Sequence, residues 1–225
     1  MKNLLYNINF IMKKLVAILL LLITISHVYG QQLEKCDSVN SFWIIEKDKT
    51  IYTLKITGKV TTTERENVIS IDDYALQYLV VDKEKYENKG KEETELEILV
   101  NYVSSEINYM SAQYKTTLET QALQAPLTSK KDVIVWWYKM PEGLNEQVSS
   151  QIFASIIIDD KIFGVGSPQF NDQKLEDIRD FLMDILSTLR KVDKKKDLQN
   201  ICNKKTQQEI MQEELEEYKK KLKED

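Results

Sequence analysis

A run of six apolar residues near the middle of the chain, 133–138 (VIVWWY), most constrains what it can fold into. All six are β-branched or aromatic, so a strand made of them must hide both of its faces. Two similar segments follow, 151–158 (QIFASIII) and 161–165 (KIFGV), separated by Asp159 and Asp160. This two-residue spacer is typical of a tight antiparallel hairpin. The sequence therefore predicts three antiparallel strands that are covered on both sides.

Further strands are predicted towards the N-terminus. Segments 41–47 and 50–60 indicate a hairpin that turns at residues 48–49. Alternating apolar and polar residues in 50–60 predict an outer strand pair with one face in water. Residues 71–82 (IDDYALQYLVVD) fit either a helix or a buried strand, and we favour a strand that ends at Asp82. Residues 118–129 are interpreted as a connection into the central strand.

Two segments carry the three-and-four spacing of amphipathic helices. The first spans about 94–114 and starts with a Thr and Glu cluster that is typical of helix capping. The second follows Asn171, a good N-cap, with Phe170 placed to pack on Leu175. Its apolar positions repeat up to Val192, where we predict the end of the helix.

Residues 1–30 have the layout of a secretory signal: two lysines, an apolar run over 15–25 and a small residue, Gly30, at the end. Translation starting at Met12 fits the same layout. A membrane anchor is the competing interpretation, but the run is shorter than the roughly twenty residues that span a bilayer. We expect cleavage near Gly30 and a periplasmic or secreted protein without a stable membrane anchor.

Loss of residues 1–30 changes both charge and chemistry. Three of the 31 Lys and Arg residues leave, so 28 face 36 Asp and Glu, a net charge of −8. This acidic surface argues against nucleic acid as a partner. The only histidine, His27, also leaves, which excludes histidine metal sites, Ser-His-Asp triads and Cys-His dyads. We expect neither metal nor cofactor.

Cys36 lies near the start of the predicted domain at residues 31–192, and Cys202 lies just beyond its end. In an exported protein this placement favours a disulfide that ties the two ends together, with two unpaired thiols as the alternative. Residues 193–225 form a charged tail in which apolar residues between 211 and 222 keep a 4-3-4 spacing. This spacing fits a frayed single helix or a contact with a partner.

Two motifs have a structural and a functional interpretation. Gly164 and Gly166 precede Ser167, where backbone N–H groups could hold an anion, but glycines that let a strand pass close to a helix explain them better. The pair Asp159-Asp160 could hold a cation, as could residues 72–73. We interpret Asp159-Asp160 as turn residues, because Asp tolerates turn geometry.

Aromatic side chains supply the one specific binding-site hypothesis. Trp136 and Tyr138 on the central strand offer a platform for stacking, although core packing explains them as well. Tyr102 and Tyr109 on the long helix could line a groove with Trp136 if that helix covers the same face. These four residues are the predicted ligand-binding residues, and no catalytic residue is predicted.

The succession of a long helix, strand VIVWWYKMP, strand QIFASIIID, strand KIFGVGS and helix DIRDFLMDILSTL falls within residues 94–192. It resembles the PsbP/Mog1-like fold, which includes small exported bacterial proteins of the DcrB type. The resemblance implies an α+β protein, an α/β/α sandwich with amphipathic helices packed on a central antiparallel sheet. It also implies an accessory or binding role.

We therefore expect an exported, non-enzymatic accessory or binding protein, with an unknown protein or small molecule as its partner. One alternative is a hydrolase or lyase that uses carboxylates, with Asp72, Asp73 or Glu106 as candidates. Another is an inhibitor or immunity-type protein whose acidic surface pairs with a basic partner. The enzyme needs a pocket with two carboxylates of different pKa, whereas a ligand-binding protein needs an aromatic-lined groove.

Overall fold

The computed structural model describes residues 32–128, 131–192, 195–199 and 201–203. The signal segment expected over residues 1–30 and the helix expected around residues 211–222 lie outside this part of the chain. The described strands are β1 (Gln32–Lys35), β2 (Asn40–Lys47), β3 (Thr50–Thr57), β4 (Val60–Thr62), β5 (Val68–Ile71), β6 (Tyr74–Asp82), β7 (Thr120–Thr128), β8 (Lys131–Lys139), β9 (Val148–Ile158), β10 (Lys161–Phe170) and β11 (Arg190–Val192). The described α-helices are α1 (Glu95–Tyr114) and α2 (Leu175–Ser187), and short 3-10 turns lie at Lys83–Tyr86, Lys195–Leu198 and Ile201–Asn203.

The strands form two antiparallel sheets. One has four strands in the order β1-β2-β3-β11, and the other has seven in the order β4-β5-β6-β10-β9-β8-β7. On one face of the larger sheet, α2 and the four-stranded sheet bury a core around Trp43, Tyr52, Phe163 and Leu182. On the other face, α1 buries a second core with Ile134, Trp136 and Ile157. The predicted α+β class, with helices packed on an antiparallel sheet, is confirmed, and the smaller sheet adds to one covering layer.

The central strands follow the sequence prediction closely. β8 is buried on both faces, with residues 133–136 almost completely inaccessible to solvent. β9 and β10 pair as the expected hairpin, and Ile158 and Lys161 flank its turn. The undecided segment 71–82 contains strand β6, which ends at Asp82 as we favoured. Burial of alternate side chains in two opposite cores explains why these strands lack a polar face.

The first helix begins as its capping residues predict. The Thr94 hydroxyl accepts a hydrogen bond from the backbone N–H of Glu97, and the Glu97 carboxylate accepts one from the N–H of Thr94. This reciprocal pair is a capping box, which satisfies two backbone donors at the start of the helix. The helix ends at Tyr114, where Lys115 takes a left-handed conformation.

The second helix differs from its prediction at both ends. It begins at Leu175 with Lys174 as its N-cap, because β10 continues to Phe170 and residues 171–173 form a turn. It stops at Ser187 instead of Val192, since Arg190–Val192 pair with β3 as strand β11. Thr188 accepts a hydrogen bond from the backbone N–H of Lys55 (2.9 Å). Strand pairing with β3 thus competes successfully with helical periodicity.

The hairpin of β2 and β3 is not wet on one face, contrary to the prediction. Ile51 and Thr53 are both buried, although they alternate with the inward-facing Tyr52 and Leu54. The C-terminal segment explains their burial: its 3-10 turn Ile201–Asn203 packs against β2, and Ile201 itself is buried.

The segment expected to be a connection into the central strand contains a strand, β7 (Thr120–Thr128). It forms the outer edge of the large sheet, where Pro126 is tolerated.

A disulfide between Cys36 and Cys202 holds this C-terminal segment in place, with Cα atoms 5.2 Å apart. The predicted bridge is therefore confirmed. It joins the end of β1 to the last described turn, 166 positions later in the sequence. The bridge thus fixes the segment that covers β2 and β3.

Aspartates begin all three turns of the β2–β3, β5–β6 and β9–β10 hairpins. Asp48, Asp72 and Asp159 have φ values of 55°, 48° and 54°. Asp is one of the few residues other than Gly that tolerate this left-handed region. The interpretation of Asp159-Asp160 as turn residues is confirmed.

Lys161 ties the two sheets together near two of these turns. Its Nζ lies 2.6 Å from Asp82 Oδ1, 3.0 Å from Asp160 Oδ2 and 3.7 Å from Asp48 Oδ2. Hydrogen bonds from Lys161 lower the pKa of Asp82 and of Asp160, and these bonds also raise the pKa of Lys161. Asp48 belongs to the smaller sheet and Asp82 to the larger one, so this cation bridges them.

We expect loss of the disulfide to destabilise the protein strongly. Replacement of Cys36 and Cys202 by Ser should lower the free energy of unfolding by on the order of 5 kcal/mol, because the bond closes a very long loop. Urea denaturation of oxidised wild type and variant measures the difference. With reductant added to both, the two curves should converge, and a difference that persists would contradict this origin.

The Lys161 network should make stability depend on pH. Both carboxylates have a folded pKa below their unfolded value, so their contribution is present above about pH 4 and disappears as pH falls through the folded pKa. We expect Lys161→Met to lower the melting temperature at neutral pH and to match wild type in acid. Lys139→Met, which removes an exposed pair with Glu119, is the control and should change little. An equal deficit for Lys161→Met at all pH values would contradict the assignment.

Candidate functional site

The face of the large sheet beside α1 has a floor built from two rows of residues in register across four strands. The first row is Trp136 on β8, Phe153 on β9, Gly166 on β10 and Gln77 on β6. The second row is Ile134, Ser155, Gly164 and Leu79 on the same four strands. Because residues in register across a sheet project to the same side, both rows face the layer that contains α1.

The two glycines create a depression in this floor. A Cβ atom on Gly166 would lie 2.6 Å from Cδ1 of Phe153, so the Phe153 ring lies directly over the glycine. That ring stacks on Trp136 with centroids 4.3 Å apart. A Cβ on Gly164 would meet the Ser155 hydroxyl at 3.3 Å and the Tyr102 hydroxyl at 3.7 Å. The absence of two side chains thus lets an aromatic stack and two hydroxyls approach the strand.

One face of α1 forms the wall. Tyr102, Glu106 and Met110 are spaced four residues apart, which places them in line along a helix. Together with the floor they enclose a cavity of about 170 Å³, which Asn67, Tyr78 and Val165 complete. Leu79 lines it while remaining 40% exposed, which places this side chain at the mouth. We call this cavity the α1 groove.

Two buried polar atoms on residues that line the α1 groove have no partner of good geometry in the described part of the chain. Ser155 is fully buried, and its hydroxyl makes no hydrogen bond of good geometry with the described residues; a weak interaction with the nearby Tyr102 hydroxyl only partly offsets the raised pKa of Tyr102. The indole N–H of Trp136, 1% exposed, is unpaired in the same sense. Buried polar groups in native proteins are nearly always hydrogen-bonded, so each exception requires an explanation. A ligand that bonds to these groups is one such explanation.

Glu106 supplies the negative charge of the groove. Its carboxylate accepts a hydrogen bond of 3.5 Å from the hydroxyl of Tyr86. Burial raises the pKa of Glu106. Burial also raises the pKa of Tyr102, and the charge of Glu106 adds to that effect. The Tyr86 ring meets Tyr102 edge-on at 5.1 Å, so the carboxylate lies within a frame of aromatic side chains.

The four predicted ligand-binding residues have different positions. Tyr102 and Trp136 both line the α1 groove, which brings together a helix residue and a strand residue as the hypothesis required. Tyr138 is buried beside Tyr114, with the two hydroxyls 3.4 Å apart. Tyr109 is 59% exposed on the outer side of α1. The binding role of these residues stays a prediction.

Sequence reasoning missed Ser155, and it considered Glu106 only as a catalytic alternative. The signal that could have found the groove is Gly-x-Gly inside an apolar strand, which removes two side chains from one face. The glycines were interpreted as letting the strand pass close to a helix or bend, but Gly166 instead makes room for Phe153 and Gln77 of the neighbouring strands, and only the Tyr102 hydroxyl of α1 comes near Gly164. Asp72 lies in the β5–β6 turn, where it accepts a hydrogen bond from the backbone of Lys59 (3.0 Å).

A second cavity of about 240 Å³ lies beneath the C-terminal segment, between Phe42, Thr53 and Ile201. None of its described lining residues carries a buried polar atom without a partner. In the described part of the chain, no group of three or more acidic, cysteine or histidine side chains is placed to hold a metal ion. No described helix has the length and apolar character to cross a membrane.

The two glycines should respond differently to a methyl group. Gly166→Ala should lower the free energy of unfolding by roughly 1–3 kcal/mol, because Phe153 must leave its stack on Trp136. Gly164→Ala should change it by less than about 1 kcal/mol, since a hydroxyl can rotate away and a methyl group reduces chain entropy in the unfolded state. Chemical denaturation compares the two variants. Equal losses would contradict the packing described for Gly166.

No family model matches the chain, and no curated protein does either. Among solved structures, the chain is similar to the solution structure of cyanobacterial PsbP (CyanoP) from Synechocystis sp. PCC 6803. The sequence identity is 10%, the TM-score is 0.48, and the alignment covers 68% of this chain and 93% of that one. The similarity concerns the fold alone. It is the PsbP-like fold, which the order of elements over residues 94–192 also resembles.

Proposed function

We propose that this protein is an exported, non-enzymatic binding protein that holds one small ligand in the α1 groove. The observation that carries the proposal is the buried Ser155 hydroxyl, which has no partner of good geometry among the described residues and borders a cavity. An unpaired buried hydroxyl is unfavourable by roughly 1–3 kcal/mol, and a ligand that bonds to it recovers this free energy. The groove, unlike a packing defect, also has an open mouth at Leu79.

The size of the groove limits the ligand to one small ring or an equivalent chain. A protein cavity of about 150 Å³ is known to accept benzene, and the α1 groove measures about 170 Å³. Aromatic and aliphatic side chains dominate its surface, with Trp136 and Tyr102 as the largest. A mostly apolar cavity with few polar groups is typical of small-molecule sites.

The composition of the groove favours binding over catalysis. Carboxylate-based hydrolysis uses two acidic groups on either side of the reacting bond. The described lining of the groove contains a single carboxylate, Glu106. Asp72 and Asp73, the other candidates, follow strand β5 in a hairpin turn. This arrangement supports a binding role.

The disulfide supports export. Bonds of this kind persist in the periplasm and outside the cell, whereas cytosolic thiols are kept reduced. The Cys36–Cys202 bond also fixes the segment that buries one side of β2 and β3. We propose that the protein acts in such an oxidising compartment after the removal of residues 1–30.

Three ring compounds of one size test the binding role: benzylamine, benzyl alcohol and benzoate. We expect at least one of them to bind wild type, with a dissociation constant on the order of 1 mM for so few atoms. Leu79→Trp, which places a large ring at the mouth of the groove, should abolish this binding. Saturation-transfer NMR and titration of tryptophan fluorescence measure it.

Leu144→Trp is the matched control, because Leu144 is also an exposed leucine (52%) but does not line the groove. It should bind as wild type does. Absence of binding for all three compounds, or equal binding by the Leu79→Trp variant, would overturn the proposed function.

A further inference from the structure

Glu106 is a half-buried carboxylate that has no cationic partner among the residues that the structure describes. Among the described residues, no lysine or arginine lines the α1 groove, and none forms an ion pair with Glu106. From the described side chains, the Glu106 carboxylate accepts one hydrogen bond, from Tyr86, and this bond is long at 3.5 Å. Acidic side chains are rarely buried unless they are paired, because removal of their hydration shell is unfavourable. A ligand with a positive charge would supply such a partner.

Two neutral acceptors lie near the carboxylate. The Ser155 and Tyr102 hydroxyls converge above Gly164, where a Cβ atom would be 3.3 Å and 3.7 Å from them. The Ser155 hydroxyl has no partner of good geometry among the described residues. Glu106 follows Tyr102 by one helical turn on the same face of α1. Together the three side chains offer three oxygen acceptors on one side of the groove.

An ammonium group matches this arrangement. It carries three N–H donors and no acceptor, so three oxygen atoms can satisfy it completely. Aromatic rings nearby add to the attraction, since cations are favoured close to the faces of tryptophan and tyrosine. Tyr102 and Trp136 are both lining residues. An anionic ligand, by contrast, would meet the Glu106 carboxylate without any described basic side chain to offset it.

We propose that the α1 groove selects small organic amines in their protonated form, with the ammonium group held by Glu106, Tyr102 and Ser155. The inference rests on the proposed ligand-binding function and adds the chemical class of the ligand. The non-polar part of the amine lies beside Gly164, against Trp136 and Met110. A single ring or a short chain fills the remaining volume.

The three ring compounds that test binding also test selectivity. Benzylamine is protonated at neutral pH, benzyl alcohol is neutral and benzoate is an anion. We expect benzylamine to bind at least about tenfold more tightly than benzyl alcohol, because hydrogen bonds to charged groups are the stronger ones. Benzoate should bind most weakly. Equal affinities for amine and alcohol would overturn the amine assignment and leave the binding function intact, whereas no binding by any compound would overturn both.

Glu106→Gln separates charge from shape. This nearly isosteric change should weaken benzylamine binding about tenfold or more and leave benzyl alcohol unchanged. Glu95→Gln, on an exposed position in the first turn of α1, is the control and should leave both affinities unchanged. Ser155→Ala should weaken benzylamine binding less than Glu106→Gln does. An unchanged benzylamine affinity in a folded Glu106→Gln variant, as judged by its melting temperature, would overturn the proposal.

Discussion

The seven-stranded sheet has to hide two apolar faces, and covers of different kinds hide them. On one side, α2 and the four-stranded sheet provide a broad layer that buries Trp43, Tyr52 and Phe163. On the other side a single helix, α1, packs mainly over β8 and β9. One helix is about 10 Å wide, whereas neighbouring strands are spaced about 4.8 Å apart. A helix of this width leaves the strands beyond β9 with less cover, and the α1 groove extends from β8 and β9 across β10 and β6.

The groove also shows how a protein can keep polar groups inside an apolar layer. A leucine at position 155 and a side chain at position 164 would fill the space and strengthen the core. The chain instead has a serine and a glycine there, and Glu106 of α1 lines the same cavity. Each choice lowers stability in the absence of a partner. The proposed binding role would account for this loss of stability.

Much of the fold follows from the sequence because the strongest patterns are those that burial on two faces imposes. The run at residues 133–138 identifies β8, and the capping residues at Thr94 and Glu97 identify the start of α1. Where tertiary pairing overrides local periodicity, the sequence misleads. Residues 190–192 continue a helical spacing, yet they form β11 because β3 offers an unpaired edge.

The site is harder to predict than the fold, since it depends on register. Gly164 and Ser155 are opposite each other only because β9 and β10 pair through the Asp159-Asp160 turn. A shift of one residue would send Ser155 to the opposite core. Tyr102 and Trp136 could be proposed from aromatic character alone, whereas the burial of the Ser155 hydroxyl without a partner of good geometry is visible only in three dimensions.

The order of strands in the small sheet means that this sheet can be completed only late in synthesis. β3 emerges early, but its neighbour β11 and the disulfide partner of Cys36 are among the last described residues. Until they arrive, β3 presents an open edge of backbone donors and acceptors, the kind of edge that pairs with foreign strands. The β3 edge therefore stays open to pairing with foreign strands until residues 190–192 have been made.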